Sequence, residues 1–202
     1  GGDAWVVAAT LAAQGHAVRL CSTCPIEQLP EAARHHAAKL PAAVPVIQFD
    51  DSHCALPEPC LAPGAIVIDG LLGTGLRGAP GGVYASLIAQ VNAAGRPTIA
   101  LDIPSGLDGD TGQTALAIVA DLTVTMAYPK IGLLVGDGPR HCGLIRCVDI
   151  GLPRPVADTA RPAGAAVTEA DGRALLTRRP FAAHKNTFGH VLCVAGSRQY
   201  PG

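Results

Sequence analysis

Aromatic side chains make up only 3% of the 202 residues. That scarcity argues against base-stacking surfaces and aromatic cages, which need exposed rings. Charge of one sign is lacking as well: Lys and Arg number 15, Asp and Glu 16, and the formal net charge is −1. Without a basic footprint, nucleic acid is not an expected partner. No apolar run approaches the ~20 residues of a membrane-spanning helix, and no charged start leads into an apolar signal core. No membrane partner is expected either. The seven cysteines are an odd count scattered through apolar surroundings (Cys54, Cys60, Cys142, Cys147, Cys193). That usage suits reduced thiols in a cytoplasm rather than a disulfide framework. Cys21-x-x-Cys24 is one suggestive pair, but a second pair or a histidine at zinc spacing is missing.

What the chain does have is core-forming material. At 49% hydrophobic residues over this length, one to two domains are expected. Strand and helix patterns alternate from the start. Gly1-Gly2-Asp3 leads into AWVVAATLAAQ, an apolar helical pattern stopped by Gly15. The strand that should feed this helix is absent, so the chain reads as truncated at its start. His16–Cys21 reads as a strand, Pro30–Leu40 as a helix and Val46–Phe49 as a strand. After a Pro- and Cys-rich loop (50–64), Ala65–Asp69 is a strand ending in a carboxylate. Val83–Ala94 is a helix closed by Gly95, feeding a strand over Thr98–Leu101 that stops on Asp102. Leu122–Met126 and Leu144–Asp149 complete the strands. Such alternation predicts an α/β fold with a mainly parallel sheet covered on both faces.

Ligands in open α/β sheets bind beyond the carboxyl ends of the strands, where Asp69 and Asp102 are both expected. After Asp102 the chain turns through Pro104, Ser105 and Gly106, a sequence suited to holding Asp102 and the Ser105 hydroxyl in a set geometry. The plainer reading is an Asp that caps its own turn. At the chain start, Gly1, Gly2 and Asp3 could bind an anion or ribose at free helix amides, or Asp3 could simply cap the helix.

Gly73-Thr74-Gly75-Leu76-Arg77-Gly78 satisfies G-x-G-x-x-G behind a strand, and Asp102 lies 24 residues beyond Gly78. That is the case for an NAD-dependent oxidoreductase. In that fold, however, the helix begins inside the glycine motif, whereas here Ala79-Pro80-Gly81-Gly82 intervenes. A glycine-rich loop wrapping phosphate with its amides and Arg77 fits better. Lys130 follows its strand at the same edge, either as a phosphate contact or as a solvated lysine. Asp121, at the start of that strand, is expected at the opposite end in a structural role.

Taken in order, GGD, IDGLLGTGLRG, ALDIPSGLDGDTG, ADLTVTMAYPKIGLLVGDG and CVDIGLP resemble the NAD(P)H-hydrate epimerase family, also described as the YjeF N-terminal domain. The resemblance covers residues 1 to about 153. It implies a Rossmann-like three-layer sandwich that interconverts the R and S forms of NADHX and NADPHX and binds a potassium ion. It places nucleotide contacts on Gly1, Gly2, Asp3, the loop Gly73, Thr74, Gly75, Leu76, Arg77, Gly78 and Ala79, and Asp102. It places potassium ligands on Asp69 and Ser105. Epimerisation needs a group that gives and takes a proton, and Asp102 is the expected catalytic residue, its carboxylate held by Ser105 and Asp69.

Residues 154–167 read as a Pro- and Ala-rich linker. From 168, Thr168 and Asp171 form a helix-start pattern. His184-Lys185-Asn186-Thr187-Phe188-Gly189-His190 through Ser197 resembles the opening of the ADP-dependent NAD(P)H-hydrate dehydratase domain, which is ribokinase-like and commonly fused behind the epimerase in bacteria. The expectation is thus a bifunctional repair enzyme with ADP used by its second part, acting on a small molecule and free to form homo-oligomers. A non-catalytic binding module is the reading from another class. It would have no need of Asp69, Asp102 and Ser105 together.

Overall fold

The computed structural model describes residues 2–75, 78–152, 164–176, 178, 180–184, 188–190 and 192. Helix α1 spans Gly2–Ala13, α2 Glu31–Ala37, α3 Gly82–Ala94 and α4 Gly138–His141. The strands are β1 Leu20–Ser22, β2 Val46–Gln48, β3 Val67–Asp69, β4 Thr98–Leu101, β5 Leu122–Met126 and β6 Leu144–Val148. Every strand pair is parallel. The chain divides into two compact units, Gly1–Ala163 and Gly164–Gly202. Most of the expected linker, and most of the dehydratase-like stretch from Lys185 to Ser197, lies outside the described residues. The second unit contains α5, Glu169–Leu175, opened by the expected capping box in which Thr168 accepts from the Asp171 amide and Asp171 from that of Thr168.

Burial explains the layering of the first unit. Trp5 and Ala8 of α1 pack with Ala33 and Ala37 of α2 over Leu20 of β1. Ile88 of α3 packs on Ala100 of β4. Leu101, one residue further along β4, points to the other face. A methyl group on Gly70 would meet its Cδ1 at 3.3 Å and Ala4 Cβ of α1 at 2.9 Å. Successive residues of β4 therefore face different helices, and the strands are covered on both sides. This is the Rossmann-like three-layer arrangement.

Two expectations are corrected. The sheet is in two pieces, β1–β2 and β3–β4–β5–β6, with no ladder joining β1 to β3 among the described residues. The strand expected over His16–Cys21 is shorter, because β1 finds a partner only where Leu20, Cys21 and Ser22 face Val46, Ile47 and Gln48. The 50–64 loop is held to α3 by Gln90, whose side chain accepts from the Leu56 amide (2.8 Å) and donates to the Cys54 carbonyl (2.6 Å).

Candidate active site

The register of β3 on β4 places Asp69 opposite Ala100, so both strands run out at one edge, as expected. Asp69 is buried, and its two oxygens are engaged by the turn that follows Asp102. Oδ2 accepts from the Ser105 amide at 2.7 Å, and Oδ1 from the Ser105 hydroxyl at 2.6 Å and the Leu71 amide at 3.2 Å. Ser105 Oγ in turn accepts from the Leu72 amide at 2.8 Å. Burial pushes the Asp69 carboxyl above its ordinary range, with the hydrogen bonds from Ser105 and Leu71 acting in opposition. Asp69 and Ser105 thus fasten the ends of β3 and β4 together.

They do not hold Asp102, which corrects the expected arrangement. Asp102 turns the other way, towards the end of β5. Its Oδ1 accepts from the Met126 amide (3.0 Å), the Thr125 hydroxyl (3.3 Å) and the Lys130 ammonium. The reason is backbone direction: Asp102 has φ +67°, a left-handed conformation that reverses the chain after β4. Lys130, open in the sequence between a phosphate contact and a solvated lysine, is an ion-pair partner of Asp102, both side chains 23% exposed. The available signal was position, since Lys130 follows the strand that lies beside β4.

The glycine loop lies alongside. A methyl on Gly109 would lie 3.7 Å from Thr74 Cγ2 and 3.9 Å from Lys130 Cγ, and one on Gly106 would lie 3.1 Å from Pro80. The loop bearing Gly73, Thr74, Gly75, Gly78 and Ala79 and the loop after Asp102 therefore pack together. A cleft of about 550 Å³ opens between Gly78, Ala79, Gly106, Asp108 and Thr114. Leu76 and Arg77, like Gly1, lie outside the described residues. Gly2 and Asp3 form the exposed first turn of α1, and Gly70, packed on Ala4, brings that turn to the end of β3. Asp108 spends Oδ1 on the amides of Asp110 and Thr111, a turn-forming role. Asp121 accepts from the Thr98 amide at 2.8 Å at the far end of β4, the structural role expected of it.

The dinucleotide fingerprint fails at a specific place. In that fold a pyrophosphate sits on the amides of the following helix. Here α3 begins only at Gly82, and its Val83 amide donates to the Asp51 carboxylate at 2.7 Å. An acid of the chain itself already occupies the position an anion would take.

A family model for the YjeF-related protein N-terminus matches residues 1–132. The chain belongs to that family. Its similarity to known proteins runs past the matched segment. A bifunctional NAD(P)H-hydrate repair enzyme Nnr of Moorella thermoacetica is 35% identical over 201 residues, covering 98% of this chain and 38% of that protein. The protein of the same name from Coxiella burnetii is 36% identical, covering 97% and 39%. An NAD(P)H-hydrate epimerase of Levilactobacillus brevis is 46% identical over 88 residues, 43% of this chain and 41% of that one. The chain spans about two fifths of the length of the curated relatives it matches. In fold it is similar to the crystal structure of yeast ynu0, YNL200c, with a TM-score of 0.61, 19% identity, and coverage of 81% of this chain and 68% of the yeast one.

The potassium ion that this family implies can be tested against the donors present. Asp69 is a buried carboxylate without a cationic side chain against it among the described residues. Three of its roughly four lone-pair sites are used, and Ser105 Oγ keeps one free. One acid plus neutral oxygens suits a hard monovalent cation. The residues fit. Among the described residues the cysteines are free thiols, and no three His, Cys, Asp or Glu side chains gather as metal ligands.

Proposed function

We propose that this chain carries the epimerase part of a nicotinamide-nucleotide repair enzyme, interconverting the R and S forms of NADHX and NADPHX. The supporting observation is the Asp102 carboxylate, held at a strand end beside a glycine loop and a buried Asp69–Ser105 pair. The names of the bifunctional relatives, which align with nearly the whole chain, point the same way. The hydrated ring carbon must lose its hydroxyl from one face and regain it on the other, or the ring must open and reclose. Both routes need one proton moved out and back, and Asp102 moves it. Backbone amides of the Gly73–Ala79 loop and the first turn of α1 bind the phosphates. Asp69 and Ser105 would hold potassium, whose charge offsets the buried carboxylate. The tail from residue 168 opens a second domain that dehydrates the S form with ADP, in a cytoplasmic protein.

The experiment is to add the intact protein to pure R-NADPHX and follow the S form by chromatography. Conversion should accelerate, and Asp102→Asn should lose about 10²–10⁴-fold in rate while keeping nucleotide binding. No acceleration by the wild type would refute the epimerase and leave a binding module. Retention of more than about a tenth of the rate by Asp102→Asn would demote Asp102 to ligand positioning.

A further inference from the structure

Strands β4 and β5 end in the same uncommon turn. After β4 the Ile103 amide donates to the Leu101 carbonyl at 2.8 Å across Asp102, φ +67°. After β5 the Tyr128 amide donates to the Met126 carbonyl at 2.7 Å across Ala127, φ +62°. A three-residue turn with positive φ at its centre is rare and strained for a residue with a Cβ. These two are the non-glycine residues with positive φ among those described. Because β4 and β5 are hydrogen-bonded neighbours, the turns lie side by side.

The second turn sends Tyr128-Pro129-Lys130 back over Asp102. An ammonium has three donors. Those of Lys130 are matched by Asp102 Oδ1, Thr125 Oγ1 (3.2 Å) and the Met126 carbonyl (3.1 Å). None is left over for a substrate phosphate. On the carboxylate, all three donors converge on Oδ1, and Oδ2 accepts no hydrogen bond among the described residues. One oxygen is anchored and the other is open. A part-exposed ion pair contributes little to folding, less than two strained turns cost, so stability does not account for the arrangement.

We propose that Lys130 is a positioning residue for the epimerisation: with the turn at Ala127 it anchors Oδ1 of Asp102 so that Oδ2 alone meets the hydrated ring. The inference rests on the epimerase reading. It excludes Lys130 from phosphate binding and assigns its effect to turnover.

The test is steady-state R-to-S kinetics of the intact protein carrying Lys130→Met, Lys130→Arg, Asp102→Asn or the first and third together. Lys130→Met should lower kcat by about 10²-fold with KM within about threefold, and Lys130→Arg should recover most of the loss. The double variant should be no slower than Asp102→Asn, because Lys130 acts only through that carboxylate. A normal kcat in Lys130→Met, a loss confined to KM, or losses that multiply in the double variant would overturn the proposal. Hydrogen exchange at the Ile103 and Tyr128 amides reads the anchoring without substrate. It should quicken in Lys130→Met and not in Lys130→Arg. Unchanged protection overturns the anchoring whether or not the wild type is an epimerase, whereas an inactive wild type overturns the epimerase alone. Should Lys130→Met lose protection throughout α3 and β4, it has unfolded. Thr125→Val, which keeps the charge and removes the shared hydroxyl, then carries the test with an expected loss in kcat of about tenfold.

Discussion

Asp69 and Asp102 are the same residue type at the ends of adjacent strands, yet their surroundings differ. Asp69 is 5% exposed, accepts three hydrogen bonds and has no cationic side chain against it among the described residues. Asp102 is part-exposed and faces an ammonium. A buried acid lacking a counter-charge is where a monovalent cation has most to offer, and an acid with one open oxygen is where a proton can be exchanged. Activity of the intact protein should therefore rise with potassium and be insensitive to EDTA, and Asp69→Asn should abolish the potassium response. Loss of activity on chelation, restored by zinc, would show that another metal is at work. That Asp69 and Ser105 lie at one edge was legible from the strand ends and the turn. Their direct bond to each other was not, because hydrogen bonding depends on side-chain direction after a turn.

At the scale of elements, the site is assembled where α1, β3 and β4 meet. Gly70 permits that meeting: a side chain there would press on Ala4 and Leu101. Gly70→Ala should force α1 away from β3, destabilising the fold by about 1–3 kcal/mol, as overpacking does. If the first turn of α1 binds nucleotide, KM should rise more than kcat falls. Urea unfolding and substrate titration would check the two parts, and a variant as stable as the wild type with normal KM would separate α1 from the site. Helix α3 is arranged differently, its Val83 amide closed by Asp51 from the 50–64 loop. The density of glycines around residue 80 already speaks against the dinucleotide fingerprint. The structure supplies a second physical reason, an internal carboxylate where pyrophosphate would sit.

At the scale of the whole molecule, the first unit contains every described site residue and the six strands found among the described residues. The second unit contributes α5, a seven-residue helix with none of its residues buried. A helix that short and exposed supplies no core for chemistry of its own. Deleting residues 164–202 should leave epimerase activity within a few-fold, measured by the same R-to-S assay. A fall of about a hundredfold or more would place part of the tail in the epimerase site.

The sequence by itself determined the order of elements, the parallel pairing and the edge at which the strands ending in Asp69 and Asp102 run out. Periodicity and turn residues are local properties, and a strand that ends on an acid places it at a known end of a parallel sheet. Its quoted motifs also pointed to the family. The tertiary structure alone decided which acid meets which partner. Asp102 pairs with Lys130, 28 residues away, and Asp69 with Ser105, 36 residues away. Both pairings depend on the way strained turns at Asp102 and Ala127 redirect the chain, and neither residue is the glycine that would announce such a turn.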